Sequence, residues 1–306
     1  MEVTKIVVGI DFSDESTAAA QHAMNIARRT GAEVILVHVG VVLGAQAHPP
    51  TEPARELERL AQDQLASDRE RLEQLRERIS GQGVSVSHMV MDGFPDSGLC
   101  EAVESLGAEL LIVGTHGRTG FKRFLLGSVA ERTVRNSHSA TLVARKGNVA
   151  GGYKRIVVPT DFSDSAEAAL RLALVLAAPE GCIELLHCWT LPPRATSYFG
   201  PASIGESVFG PVRAELAEDA QKRCAELVKD HGRDDVELKI HVVEANPAHG
   251  IQDLIGGDDA NYDLVVMGSH SRHGIQRLLL GSVAERTVRH APCSVLVVPA
   301  PASAAK

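Results

Sequence analysis

Leu125-Leu-Gly-Ser-Val-Ala-Glu-Arg-Thr-Val-Arg135 recurs, residue for residue, as Leu279-Leu-Gly-Ser-Val-Ala-Glu-Arg-Thr-Val-Arg289. Two further pairs of blocks keep the same order. Lys5-Ile-Val-Val-Gly-Ile-Asp-Phe-Ser-Asp14 matches Lys154-Arg-Ile-Val-Val-Pro-Thr-Asp-Phe-Ser-Asp164, and Gly114-Thr-His-Gly-Arg118 matches Gly268-Ser-His-Ser-Arg272. Asp11 and Asp161 are therefore equivalent, as are Gly127 and Gly281. The spacing between equivalents widens by a few residues along the chain, and loops must absorb the drift. The chain reads as one unit written twice: a domain over 1–146, a linker over 147–152, a second domain over 153–300 and a tail over 301–306. Lys146-Gly-Asn-Val-Ala-Gly-Gly152 has the composition of a flexible joint.

Working outward from those blocks, each copy alternates strand and helix. β-branched runs open them, Ile6 to Ile10 and Ile156 to Val158. Ser13 and Ser163 are placed to cap the helices that follow, whose apolar-periodic bodies run Ser16 to Ala27 and Ser165 to Ala177. Second strands are expected at Val34 to Val39 and Ile183 to Cys188, then long charged helices at Glu52 to Ile79 and Glu206 to Lys229. Third strands are expected at Val84 to Met91 and Glu237 to Val243, and fourth strands at Leu110 to Val113 and Leu264 to Met267. A helix from Ser128 or Ser282 and a closing strand, Thr141 to Ala144 or Ser294 to Val298, complete each copy. Continuous apolar strands are the mark of sheets buried on both faces. The fold class is therefore α/β: two tandem, doubly wound, five-stranded parallel sheets of Rossmann-like type. The closing strands should be sheet edges, and an unpaired edge invites a partner. They are expected to pair antiparallel as a pseudo-two-fold pair within one chain.

Composition sets the outer limits. Of 306 residues, 44% are hydrophobic but only 4% aromatic, so each core must be aliphatic. A formal charge of -8 argues against nucleic acid as a partner, because phosphate backbones call for a basic surface. The start of the chain has no signal-peptide pattern, and no apolar run is long enough to span a bilayer. The five cysteines are scattered without CxxC spacing and read as small apolar fillers. A reducing, cytoplasmic location is expected, with no membrane partner.

Ligands of open α/β sheets bind beyond the carboxyl ends of the strands, where strand order reverses. Three groups per copy should arrive there: Asp11 or Asp161 after the first strand, the glycine loop after the fourth, and Gly127-Ser128 or Gly281-Ser282 at the start of the last helix. A helix start offers free N–H groups and a positive dipole end to an anion. Glycine permits close approach and φ > 0. Together these describe a phosphate cradle facing a carboxylate that can accept a hydrogen bond from a base or sugar. Each loop has a plainer reading as a turn or an N-cap, and the occurrence of all three groups in both copies favours a site.

Gly114-x-x-Gly117, nine residues, then Gly127-Ser128 resembles the ATP-binding pattern of universal stress proteins, as do Asp11-Phe-Ser13 and the Ser-Val-Ala-Glu-Arg-Thr-Val-Arg run. The resemblance covers both halves and is to the tandem type of that family. It implies the five-stranded sheet, roles in stress response, and some members that bind ATP beside others that do not. It implies that Asp11 holds the adenine, Val39 packs on the base, Val113 and Gly114 line the ribose side, and Gly117, Gly127, Ser128 and Val129 hold the phosphates. In the second copy the matches are Pro159, Thr160, Asp161, Cys188, Met267, Gly268, Gly281, Ser282 and Val283. There Ser271 stands in place of the second glycine, which strains the backbone if that position needs φ > 0 and merely adds a hydroxyl donor if it does not. Any Mg2+ would be held by the phosphates. The resemblance also implies an intramolecular pseudo-dimer and leaves a further homodimer and an unidentified protein partner open.

Other candidates have plainer explanations. His116 and His270 sit in the glycine loops, and His38 and His187 end the second strands, where a structural role is commoner. Arg118, Lys122, Arg272 and Arg277 read as solvated loop charges within reach of phosphates. Zinc spacing, a GxSxG elbow and a GxxxxGK[ST] loop are all missing from the sequence. The reading is a nucleotide-binding stress-response protein with ATP as bound signal. The rivals are a non-nucleotide interaction protein on the same fold and a slow ATPase, turning over below about 1 per second for want of an assignable base.

Overall fold

The computed structural model describes residues 2–40, 52–81, 83–117, 126–147, 149, 151–191, 202–257, 260–269 and 280–300. The chain divides into two compact units, Met1–Gly152 and Tyr153–Lys306. The first contains β1 (Lys5–Gly9), α1 (Asp14–Thr30), β2 (Glu33–Gly40), α2 (Glu52–Ile79), β3 (Val86–Asp92), α3 (Pro95–Leu106), β4 (Leu110–Gly114), α4 (Ser128–Asn136) and β5 (Ala140–Ala144). The second contains β6 (Tyr153–Pro159), α5 (Asp164–Leu176), β7 (Ala177–Trp189), α6 (Ala202–His231), β8 (Val236–Glu244), α7 (Pro247–Gly256), β9 (Leu264–Gly268), α8 (Ser282–His290) and β10 (Ser294–Val298).

The strands of the first unit lie in the order β3-β2-β1-β4-β5, all parallel. Those of the second repeat it as β8-β7-β6-β9-β10, again parallel. Both sheets are thus of the doubly wound type. In each, strand order reverses between the first and fourth strands, which opens a crevice at their carboxyl ends. The central strands are buried on both faces: Ile6, Val7, Val8, Leu110, Leu111 and Ile112 have no exposed surface, and Ile156, Val157, Val158, Leu264, Val265 and Val266 repeat this. Each such side chain contributes about 1.5–3 kcal/mol when fully buried.

Matched polar clamps fix the start of the central strands. The Glu109 carboxylate accepts from the amides of Thr4 (3.0 Å) and Lys5 (2.9 Å). Asp263 does the same for Lys154 (2.7 Å) and Arg155 (2.9 Å). Helix α1 forms where its caps require. The Ser13 side chain accepts from the Ser16 amide, Asp14 and Glu15 sit in the first turn, Arg28 and Arg29 in the last, and Gly31 closes it at φ 76°.

The structure departs from the sequence reading at several element ends, α6 for example starting at Ala202 rather than Glu206, and in two whole helices. Helix α1 extends to Thr30, one turn beyond its apolar core residues, because the cap at Gly31 sets its end. Strand β7 begins at Ala177, well before Ile183, since Tyr153 pairs with Ala177 ahead of a register shift. Helices α3 and α7, between the third and fourth strands, went unpredicted. They are short, begin at a proline and contain a glycine. Among the described residues, no helix is long and apolar enough to cross a membrane.

Candidate functional site

The turn after β1 is strained in the same way in both units. Phe12 has φ 65° and Phe162 φ 61°, left-handed values that cost a side-chain-bearing residue about 1–2 kcal/mol. Three contacts hold that turn. His38 donates from Nδ1 to the carbonyl of Ile10 (2.7 Å), its ring lies 4.7 Å from that of Phe12, and the Arg71 guanidinium stands 4.0 Å from the Phe12 ring centre. His187, Thr160, Phe162 and Arg223 repeat the arrangement at 2.8, 4.5 and 3.9 Å. The strand-end histidines are therefore structural.

The turn aims Asp11 across the crevice. One carboxylate oxygen accepts from the amide (3.0 Å) and hydroxyl (2.5 Å) of Ser13. The other faces the glycine loop, where a Cβ on Gly117 would come within 2.7 Å of it. Asp161 is held identically by Ser163, at 3.0 and 2.5 Å.

The glycines of the pattern serve different ends. A Cβ on Gly114 would meet the backbone of Glu15 at 2.8 Å, and one on Gly268 would meet Ser165 Oγ at 2.5 Å. These two residues let the first helix pack on the fourth strand. Gly127 lies against the loop, its amide donating to the Thr115 carbonyl (2.8 Å), as Gly281 donates to Ser269 (2.8 Å). Gly117 is absent from the residues with positive φ. Of the two cases left open by the sequence, a need for φ > 0 is thereby set aside: what the position requires is room beside Asp11. Ser271, its counterpart, lies outside the described residues, as do His270, Arg118, Lys122, Arg272 and Arg277.

Helices α4 and α8 start at Gly127 and Gly281 without a side-chain cap. Their N-cap residue thus accepts from no first-turn amide, whereas Ser13 caps α1.

These groups meet in one cleft per unit. The first has a volume of about 360 Å3 and brings together Asp11, Val39, Val113, Gly114, Gly117, Gly127, Ser128 and Val129. The second, about 150 Å3, brings together Pro159, Thr160, Asp161, Cys188, Met267, Gly268, Gly281, Ser282 and Val283. Ligand pockets run from about 300 to 1,000 Å3, so only the first reaches that range. Burial, with Asp253 nearby, pushes the Cys188 thiol up to about 11, so it lines the second cleft as a neutral wall.

Sequence reasoning missed part of the lining. Pro95 and Leu99 of α3 enter the first cleft, and Pro247 and Ile251 of α7 the second. The matched prolines of the two copies were the available signal. Gly98 lets α3 close onto Val39, 2.8 Å from where its Cβ would stand, and Gly250 lets α7 close onto the Cys188 sulfur at 2.5 Å. His116 also lines the first cleft, and its buried Nε2 has no hydrogen-bond partner among the described residues.

Comparison with known proteins places this geometry. The model of the universal stress protein family matches twice, over residues 2–145 and 152–299. The chain belongs to the universal stress protein family. Universal stress protein MJ0531 of Methanocaldococcus jannaschii is 37% identical over 142 residues, covering 46% of this chain and 82% of the relative. A universal stress protein of Mycolicibacterium smegmatis is 36% identical over 141 residues, covering 46% of this chain and 45% of the relative. Among solved structures, a universal stress protein from Archaeoglobus fulgidus matches 98% of this chain and all of its own length, with a TM-score of 0.69 at 19% identity. That likeness is one of fold. In this universal stress protein each family match spans one complete cleft.

Proposed function

We propose that this universal stress protein binds an adenine nucleotide, ATP, in its first cleft and acts in stress response with the nucleotide as a bound signal. One observation carries the reading: residues from five separate segments converge on a single cleft with an uncapped helix start on one side and a held carboxylate on another. The fit to the ligand is chemical. The amides at Ser128 and Val129 and the dipole of α4 favour a polyphosphate. The orphaned His116 Nε2 supplies a further polar partner. Asp11 accepts from a base or sugar, and Val39 and Val113, both buried, offer an apolar wall for the ring. Mg2+, where present, would be carried by the phosphates.

The bound-signal reading rests on the cleft's chemistry. Asp11 is the one carboxylate among the described lining residues, and one of its oxygens is engaged by Ser13. The remaining groups bind and orient. The test is isothermal titration of the purified chain with ATP, together with mass analysis of nucleotide that co-elutes from cells. Saturable binding at one site per chain supports the reading. A heat-silent titration and a nucleotide-free preparation would overturn it.

A further inference from the structure

The two copies differ at one point on the rim of the cleft. Gly93-Phe94-Pro95 in the first unit stands where Ala245-Asn246-Pro247 stands in the second. Asn246 does what a residue before a helix should: its side chain accepts from the Ala248 amide (3.0 Å) and caps α7. Phe94 occupies the same N-cap position of α3 and makes no such bond. Phe94 is 72% exposed, the most exposed of the large apolar residues described. The backbone differs as well. Gly93 takes φ 140°, a conformation an L side chain rarely adopts, and Ala245 has no positive φ. The first unit thus gives up a helix cap and uses a special turn to set a phenyl ring in water.

A lone exposed apolar residue means little. This one sits beside a binding cleft. The next residue, Pro95, lines the first cleft, as does Leu99 one turn on. Gly98 seats α3 against Val39, the residue proposed above as part of the apolar wall for the base. We propose that Phe94 is a base-contacting residue of the first cleft, its ring closing over the purine of a bound nucleotide. The inference rests on the nucleotide reading above. It assigns the exposed ring a partner of matching chemistry, because aromatic side chains and nucleobases stack on one another with an offset. It also explains why the second unit, with the smaller cleft, keeps the plain cap. Phe94 then confers preference for a base over a bare polyphosphate.

The experiment compares the full-length chain with Phe94→Asn, the residue of the second copy, titrating each with ATP and with inorganic tripolyphosphate. Phe94→Asn should weaken ATP at least fivefold, leave tripolyphosphate unchanged and raise the melting temperature by restoring the cap. Phe94→Trp should keep ATP affinity, since its ring also stacks. Unchanged ATP affinity in Phe94→Asn would overturn the proposal. So would equal loss of ATP and tripolyphosphate, which would mark Phe94 as a prop of the cleft. An unmutated chain that binds no ATP would instead refute the nucleotide reading itself. Should Phe94→Asn fail to fold, Phe94→Trp decides: a fivefold loss there overturns the stacking role.

Discussion

Asp11 Oδ2 lies 2.7 Å from the point where a Cβ on Gly117 would stand. The carboxylate is not free to yield, because its other oxygen is bound to the amide and hydroxyl of Ser13. Real Cβ atoms do not approach oxygen so closely, so any side chain at 117 must displace either the loop or Asp11. Gly117→Val should weaken ATP binding at least tenfold, about 1.4 kcal/mol. Gly117→Ala should weaken it too, since the conflict begins at the Cβ. Calorimetric titration of folded variants checks this. Unchanged affinity would sink the assignment of Gly117 and Asp11 to the site.

The two clefts should not fill equally. The first holds about 360 Å3 and the second about 150 Å3, though their lining is matched nearly residue for residue. A titration should therefore show one tight site per chain, and any second binding event should be at least tenfold weaker. Gly127→Val should abolish the tight event, while Gly281→Val should leave it. Two sites of equal affinity would show that the difference in volume has no consequence.

Much of this architecture was legible in the sequence because the repeat exposes it. Runs such as Ile6–Ile10 and Leu110–Val113 read as strands buried on both faces because they are short, β-branched and followed by turn signals, and their duplication marks the unit. The residues singled out at the crevice line one cleft in each unit, with Ser271 outside the described residues. Helices α3 and α7 were not legible. Their glycines, Gly98 and Gly250, weaken the helical pattern, and the reason for them lies in Val39 and Cys188, distant in sequence. The role of Gly117 was hidden for the same reason. A glycine kept for φ and a glycine kept for a neighbour look alike until the neighbour is placed. At Gly114, for which the resemblance implied a ribose contact, the structure shows the close approach of α1.

His38 and His187 make the same bond to the turn, but their surroundings differ. His38 Nε2 also lies 3.4 Å from the buried carboxylate of Asp68, which further contacts Gln64 and Arg71. In the second unit the position equivalent to Asp68 is the buried Ala220 of α6. Removing either ring forfeits a hydrogen bond and leaves a carbonyl unsatisfied, about 1–3 kcal/mol. Only His38→Ala also strips a partner from a buried carboxylate. His38→Ala should therefore destabilise its unit by about 1 kcal/mol more than His187→Ala destabilises the other. It should also loosen Asp11 and weaken ATP. Circular dichroism melts of the full chain and titration compare them. Equal losses from both variants would show that Asp68 does not depend on His38.

His22 in α1 is buried, with Nε2 2.9 Å from the carbonyl of Arg145, so the ring donates there as a neutral imidazole. Burial lowers its pKa below the ordinary value, and the bond to the Arg145 carbonyl opposes that only in part. A depressed value in the folded state means that the unfolded chain takes up a proton first as pH falls. The folded unit is therefore at full advantage above the unfolded value of about 6.5 and loses stability as pH drops through the folded one. His22→Gln retains a donor for the carbonyl and removes the titration. At pH 7.5 the variant should melt below the unmutated chain, because a packed ring is lost. At pH 5.5 the gap should narrow, since only the unmutated chain is drawn toward the unfolded state by His22. Thermal melts of both proteins at the two pH values decide it. A gap that stays constant or widens in acid would mean that His22 is not the group that couples this unit to pH.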